Sequence, residues 1–164
     1  MAASARAAGD VVVYVEIPAG SRNKYELDKA TGAIFLDRRL FTSTTYPADY
    51  GFIEGTLGGD GDALVLAGDP TFPGCRIRAR PIGLFRMTDE KGPDEKIICV
   101  SARDPFWAKY RELDELDENL RNEIDHFFRV YKELETNKVD TSGFGARAEA
   151  EQVIAEARAR AGRP

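Results

Sequence analysis

Over its first hundred residues the sequence never sustains an apolar segment for long before a glycine- or proline-containing turn interrupts it. The longest such runs, Val11 to Val15 and Ala63 to Ala67, are far short of the ~20 residues a membrane span requires. Val11 to Ile17 is β-branched and runs into Pro18-Ala19-Gly20, which predicts a strand ending in a turn. Tyr25 to Leu27 and Ala33 to Leu36 flank Thr31-Gly32, the pattern of a hairpin. Cys75 to Arg80 alternates strictly, with Cys75, Ile77 and Ala79 on one face and Arg76, Arg78 and Arg80 on the other. Lys96 to Val100 reads as a further short strand after the turn Lys91-Gly92-Pro93-Asp94. Short strands joined by tight turns predict a small barrel or sandwich.

The pattern then changes period. Leu120, Ile124, Phe127, Phe128, Tyr131 and Leu134 fall on one stripe, predicting an amphipathic helix over roughly Glu118 to Leu134. Ala150, Val153, Ile154, Ala157 and Ala161 predict a second, with Arg158 and Arg160 near its C-terminal end, where cations suit the helix dipole. Strands first and helices last indicate α+β, a β-barrel with helices packed outside. With 164 residues, 43% of them hydrophobic, a core needs no disulfide or structural metal. We expect a short flexible arm over 1–10 and a single domain over 11–164.

Charge narrows the function. Twenty-three Lys and Arg face 28 Asp and Glu, net −5, which argues against nucleic acid or an anionic membrane as partner. Arg76, Arg78 and Arg80 on one strand face could suggest nucleic-acid binding, but no aromatics are interleaved with them. A solvated or salt-bridged face is the expectation. Cys75 and Cys99 form no metal or redox spacing and read as buried, reduced thiols. Met1 to Asp10 lacks the apolar stretch of a secretory signal, so cytoplasm is the expected compartment.

The acids cluster. Asp60 and Asp62 lie in the glycine-rich stretch Leu57-Gly58-Gly59-Asp60-Gly61-Asp62, and Asp89 and Asp94 are placed on a second loop between two strands. Hard divalent cations seek carboxylate oxygens, and Mg²⁺ accepts one or two of them while water and phosphate fill the rest. Solvated turns also favour Asp and Gly, so spacing alone leaves both readings open. The cations Lys24, Arg38, Lys96 and Lys132 are scattered, and Lys24 and Glu26 share a strand face on which they could pair.

Taken together, Glu16-Ile17-Pro18, Asn23-Lys24-Tyr25-Glu26, Leu36-Asp37-Arg38, Tyr46-Pro47-Ala48-Asp49-Tyr50-Gly51-Phe52 and Asp60-Gly61-Asp62 occur in one order. So do Arg80-Pro81-Ile82-Gly83, Met87-Thr88-Asp89-Glu90, Asp94-Glu95-Lys96, and His126-Phe127-Phe128 followed by Tyr131-Lys132. In these stretches the chain resembles the bacterial type of the soluble family I inorganic pyrophosphatases, from about Val11 to Ala157. The resemblance implies an OB-like five-stranded β-barrel with extra strands and two C-terminal helices packed outside. It implies hydrolysis of pyrophosphate to two phosphates, with three or four Mg²⁺ ions neutralising charge and activating the attacking water. Asp60, Asp62, Asp89 and Asp94 match the metal carboxylates, with Glu16 near an ion that arrives with substrate. Lys24, Arg38, Tyr131 and Lys132 match phosphate-holding positions. Tyr50 matches a tyrosine near water and phosphate, so Asp62, Tyr50 and Asp94 are the expected catalytic group. Glu26, Tyr46 and Lys96 match supporting positions. The family's bacterial members form hexamers, and His126 matches a subunit contact.

One departure stands out. Where the family reads Asp-Gly-Asp-Pro-hydrophobic-Asp before the apolar strand, this chain reads Asp60-Gly61-Asp62-Ala63-Leu64. Three residues and one aspartate are missing, about 10 Å of extended chain. Asp62 can match either the second aspartate, the presumed general base, or the third, which bridges metals. Loss of such a carboxylate typically costs 10² to 10⁴ in rate. The resemblance therefore implies a slow pyrophosphatase. The alternative is a weak metal- and phosphate-binding relative, or a structural subunit of a pyrophosphatase assembly. Asp69 is a remote candidate to substitute.

Overall fold

A computed structural model describes residues 9–162, so most of the expected arm lies outside the described residues. Eight strands are formed: β1 (Val11–Ile17), β2 (Asn23–Leu27), β3 (Ile34–Arg39), β4 (Asp49–Ile53), β5 (Asp62–Leu66), β6 (Arg76–Asp89), β7 (Gly92–Ser101) and β8 (Asp140–Ala146). Two helices, α1 (Glu118–Val130) and α2 (Arg147–Ala161), follow the pattern read from the stripes. Strands are hydrogen-bonded in the order β1-β4-β5-β7-β6-β8, and β1 also pairs with β6. That extra pairing closes β1, β4, β5, β7 and β6 into a five-stranded ring, leaving one edge for β8. All ring pairings are antiparallel except β5 with β7.

Strand β6 serves both ring and extension because it is long and bulged. Its first half pairs with β1 and its second half with β8, and the register with β7 slips between Pro81 and Gly83. A proline has no N–H to give a ladder, so a bulge is where an inner strand accommodates one. Gly51 on β4 marks the tightest crossing: a Cβ there would collide with the backbone carbonyl of Tyr14.

Alternation divides the core. Val11, Val13, Val15, Ile53, Ala63, Val65, Ile77, Ala79, Leu84, Ile97 and Cys99 come from all five ring strands and form the inside of the barrel. Ala150 and Ile154 of α2 join this cluster, and that helix packs on β6 and β8. The opposite faces of β5, β6 and β7 (Leu64, Leu66, Phe85, Met87, Ile98 and Val100) pack against Ile124, Phe127 and Phe128 of α1.

Several expectations need correcting. Helix α1 stops at Val130, and Leu134 lies in the turns beyond it, 67% exposed. Asp89 is the last residue of β6 and Asp94 the third of β7, so both lie within the strands of one hairpin instead of on a loop. Cys99 is buried but Cys75 only partly so; both are free thiols. The arginine face, by contrast, is as expected: Arg76 pairs with Glu54, and Arg80 donates to the carbonyls of Ala108 and Tyr110 at 2.5 and 3.2 Å.

Candidate active site

Following the α1-packed faces toward one end of the barrel, the residue type changes while the alternation holds. On β5, Leu66 and Leu64 lead to Asp62; on β7, Val100 and Ile98 lead to Lys96 and Asp94; on β6, Phe85 and Met87 lead to Asp89. Register then brings these ends together. Met87 pairs with Asp94 and Phe85 with Lys96, and the parallel β5–β7 ladder starts at Ala63 opposite Ile97. Tyr50 of β4 pairs with Leu64, so its side chain is the diagonal neighbour of Asp62.

Lys96 is the centre of the resulting cluster, its side chain 3% exposed. Its ammonium donates to Asp94 Oδ2 at 2.7 Å, to Tyr50 Oη at 2.7 Å and to Asp62 Oδ2 at 3.1 Å. The Tyr50 hydroxyl in turn donates to Asp62 Oδ2 at 3.1 Å. Burial works against the Lys96 charge, yet Asp62 and Asp94 raise its pKa well above the ordinary lysine value. Burial raises the Asp94 pKa; Lys96 opposes this, while Asp62 and Asp89 add to it. Glu16 is raised first by burial and also by Asp62, although it accepts the Leu27 N–H at 2.8 Å. It is the extra residue of a bulge between β1 and β4, at the slip between Val15 and Ile17.

The phenols are held protonated. Tyr50 and Tyr46 are raised far above the ordinary value by burial, and Tyr131 is pushed up to about 12 by the same cause. Tyr131 caps the C-terminal end of α1 and packs on Phe127 and Phe128 with centroids 5.2 and 5.5 Å apart. Next to it, Lys132 stands 3.7 Å from Asp89 and 3.9 Å from Glu90.

The outer cations sit on the β2–β3 hairpin. Lys24 and Arg38 are directly paired across it, and the register slips between Lys24 and Tyr25, leaving Asp37 as the extra residue. The carboxylate of Asp37 then reaches both cations, 2.9 Å from Lys24 Nζ and 2.5 Å from Arg38 Nη1. Lys24 therefore pairs with Asp37, not with Glu26, which is exposed on β2. Arg38 Nη2 also lies 3.0 Å from Glu135 Oε1.

Thus Asp62, Asp94, Lys96 and Tyr50 meet directly, with Glu16, Asp89, Tyr46 and Tyr131 around them. Asp60 is drawn aside: its carboxylate accepts from Arg160 Nε at 2.9 Å. No three His, Cys, Asp or Glu side chains among the described residues converge on one point. The donor set nevertheless suits a hard cation. Asp62 raises both Glu16 and Asp94, and Asp89 raises Asp94, so the carboxylates repel one another with a buried ammonium between two of them. Asp37, Glu135 and Arg160 escaped the sequence reading as site residues.

A closed five-stranded ring of OB type, with an oxygen-rich acidic cluster at one end of the face under α1, defines a class of β-barrel proteins. The profile of the family described as inorganic pyrophosphatase matches residues 13–162, and the chain belongs to that family. The inorganic pyrophosphatase of Streptomyces coelicolor is 58% identical over 146 residues, covering 87% of this chain and 90% of that protein. The Leifsonia xyli protein of the same name is 52% identical over the same shares. The crystal structure of inorganic pyrophosphatase from Thermus thermophilus is similar with a TM-score of 0.91 at 40% identity, covering 98% of this chain and 96% of that one. A solved structure of the inorganic pyrophosphatase from Helicobacter pylori is similar with a TM-score of 0.90 at 38% identity and covers 96% of each chain.

Proposed function

We propose that residues 11–164 act as one domain that hydrolyses inorganic pyrophosphate to two phosphates with Mg²⁺, slowly because of the short loop before β5. The observation that carries this reading is Asp62 as the first residue of β5, bonded to Lys96 and Tyr50 with Asp94 alongside. That position favours matching Asp62 to the family's third aspartate, directly before the apolar strand, and leaves the second without a counterpart. Asp60 reaches an ion at this site only after leaving Arg160.

Asp62, Asp94 and Asp89 would hold Mg²⁺, with Glu16 beside an ion accompanying substrate. Bound Mg²⁺ would neutralise phosphate charge and lower the pKa of water. Lys24, Arg38, Tyr131 and Lys132 would hold phosphate oxygens, Arg38 through two N–H groups. Tyr50, kept protonated by burial, donates to Asp62 and keeps that carboxylate aimed. Lys96 offsets the charge of Asp62 and Asp94, while Tyr46 and Glu26 support the site's walls. Water adds to one phosphorus as the bridging P–O bond breaks, and no covalent enzyme intermediate is needed.

We further propose a cytoplasmic homo-oligomer, a hexamer, with His126 at a subunit contact. His126 is exposed on α1, turned from the face that buries Ile124, Phe127 and Phe128. No described helix is long and apolar enough to cross a membrane.

The test is phosphate release from Mg-pyrophosphate by this chain and by a version with Asp-Pro-Leu inserted between Gly61 and Asp62. A gain of about 10² to 10⁴ in the inserted version supports the reading. Equal fast rates overturn the role of the loop, and no release by either overturns the activity.

A further inference from the structure

The two cations expected to meet phosphate on the β2–β3 hairpin are already neutralised. Lys24 and Arg38 share Asp37, and Arg38 has a second carboxylate, Glu135, from the segment beyond α1. Two positive charges thus face two negative ones, so Lys24 and Arg38 offer a free anion no excess of positive charge. Glu135 is well enclosed, its side chain 12% exposed against 26% for Arg38.

The Arg38–Glu135 contact is also incomplete. Only Nη2 and Oε1 meet, and the buried Nε of Arg38 and Oε2 of Glu135 have no hydrogen-bond partner among the described residues. A guanidinium and a carboxylate can share two parallel hydrogen bonds, and this pair leaves half of that capacity unused. A phosphate oxygen that draws Arg38 away breaks a single-point contact. The displaced Glu135 is then left as a like charge beside the anion.

Building on the proposed role of Arg38 as a phosphate ligand, we infer that Glu135 is a positioning and specificity-determining residue: it holds Arg38 back from free phosphate. A metal–pyrophosphate complex has further anchors in the acidic cluster around Asp62 and Asp94 and can displace Glu135. Free phosphate lacks those metal anchors and has only Lys24, Arg38, Tyr131 and Lys132, two of them neutralised on the hairpin, so it binds weakly and leaves readily. Glu135 therefore favours the substrate complex over the product.

The experiment titrates inorganic phosphate into the EDTA-treated protein at fixed ionic strength, read by calorimetry. Glu135→Gln, which keeps the shape and removes the charge, should bind phosphate roughly three- to tenfold more tightly than the unaltered chain. Glu135→Ser, checked for native circular dichroism, should show the same gain. A purely structural Glu135 would yield equal or weaker binding in both variants, which overturns the inference. Adding Arg38→Ala to Glu135→Gln should abolish the gain. If the gain survives, Arg38 is not the phosphate ligand, and the underlying reading fails instead.

Discussion

Asp60 and Arg160 are separated by 100 positions in sequence, yet their side chains meet at 2.9 Å, tying the turn before β5 to the last turn of α2. Both side chains are partly exposed, so the pair adds little to folding but decides where Asp60 points. Arg160→Ala should leave the melting temperature nearly unchanged and strengthen Mg²⁺ binding several-fold, read by calorimetry. Unchanged Mg²⁺ affinity would show that Asp60 has no part in holding metal.

Glu16 makes a pH-dependent contribution whose sign can be worked out. Its folded pKa lies above the ordinary 4.5, first because of burial, so its ionised form costs the folded state more than the unfolded one. Glu16→Gln should stabilise the EDTA-treated protein at neutral pH. The advantage should shrink as pH falls through the raised folded value and vanish below the ordinary 4.5. Urea unfolding midpoints from pH 4 to 8 measure this, and parallel curves for both proteins would contradict it.

Tyr50 links two of the charged groups, accepting from Lys96 and donating to Asp62. Tyr50→Phe keeps the ring and removes both bonds. We expect kcat to fall about tenfold with a smaller change in KM, because the loss is in the aim of Asp62 and not in a phosphate contact. A change confined to KM would move Tyr50 into the substrate-holding group.

Gly51 lies where β1 and β4 press closest, one residue from Tyr50. Gly51→Ala should destabilise the barrel by about 3 kcal/mol or more, since the obstructing atom is the Tyr14 carbonyl oxygen and backbone cannot rotate aside. Chemical denaturation checks it, and a normal midpoint would mean that β1 and β4 can separate without loss.

Those predictions rest on parts of unequal legibility. The stripe through Ile124, Phe127 and Phe128 and the alternation around Ile77 and Ala79 are local patterns, and both faces fold as the sequence indicates. Leu134 continued the stripe on paper, but the chain leaves the helix after Val130 and exposes it. Ring closure through β1 and β6 is a long-range pairing that no local period encodes. The site divides in the same way. Asp62, Asp94, Lys96 and Tyr50 stand in short motifs, and it is the resemblance carried by those motifs together, not the spacing of any one, that points to them. Asp37 reaches two cations because a bulge turns it, and Glu135 and Arg160 reach theirs across the fold. Bulges and distant ion pairs leave no spacing in the chain by which to find them.

The lysine at the heart of the acidic cluster has a consequence for the life of the molecule before it works. A protein whose opposed acids wait for an external ion is hostage to the supply of that ion from the moment it leaves the ribosome, as metal-nucleated domains are. Here Lys96 travels with the chain and stands between Asp62 and Asp94 from the outset. Under the proposed function, scarcity of magnesium would silence the protein without unmaking it, and a returning supply would find the barrel already built.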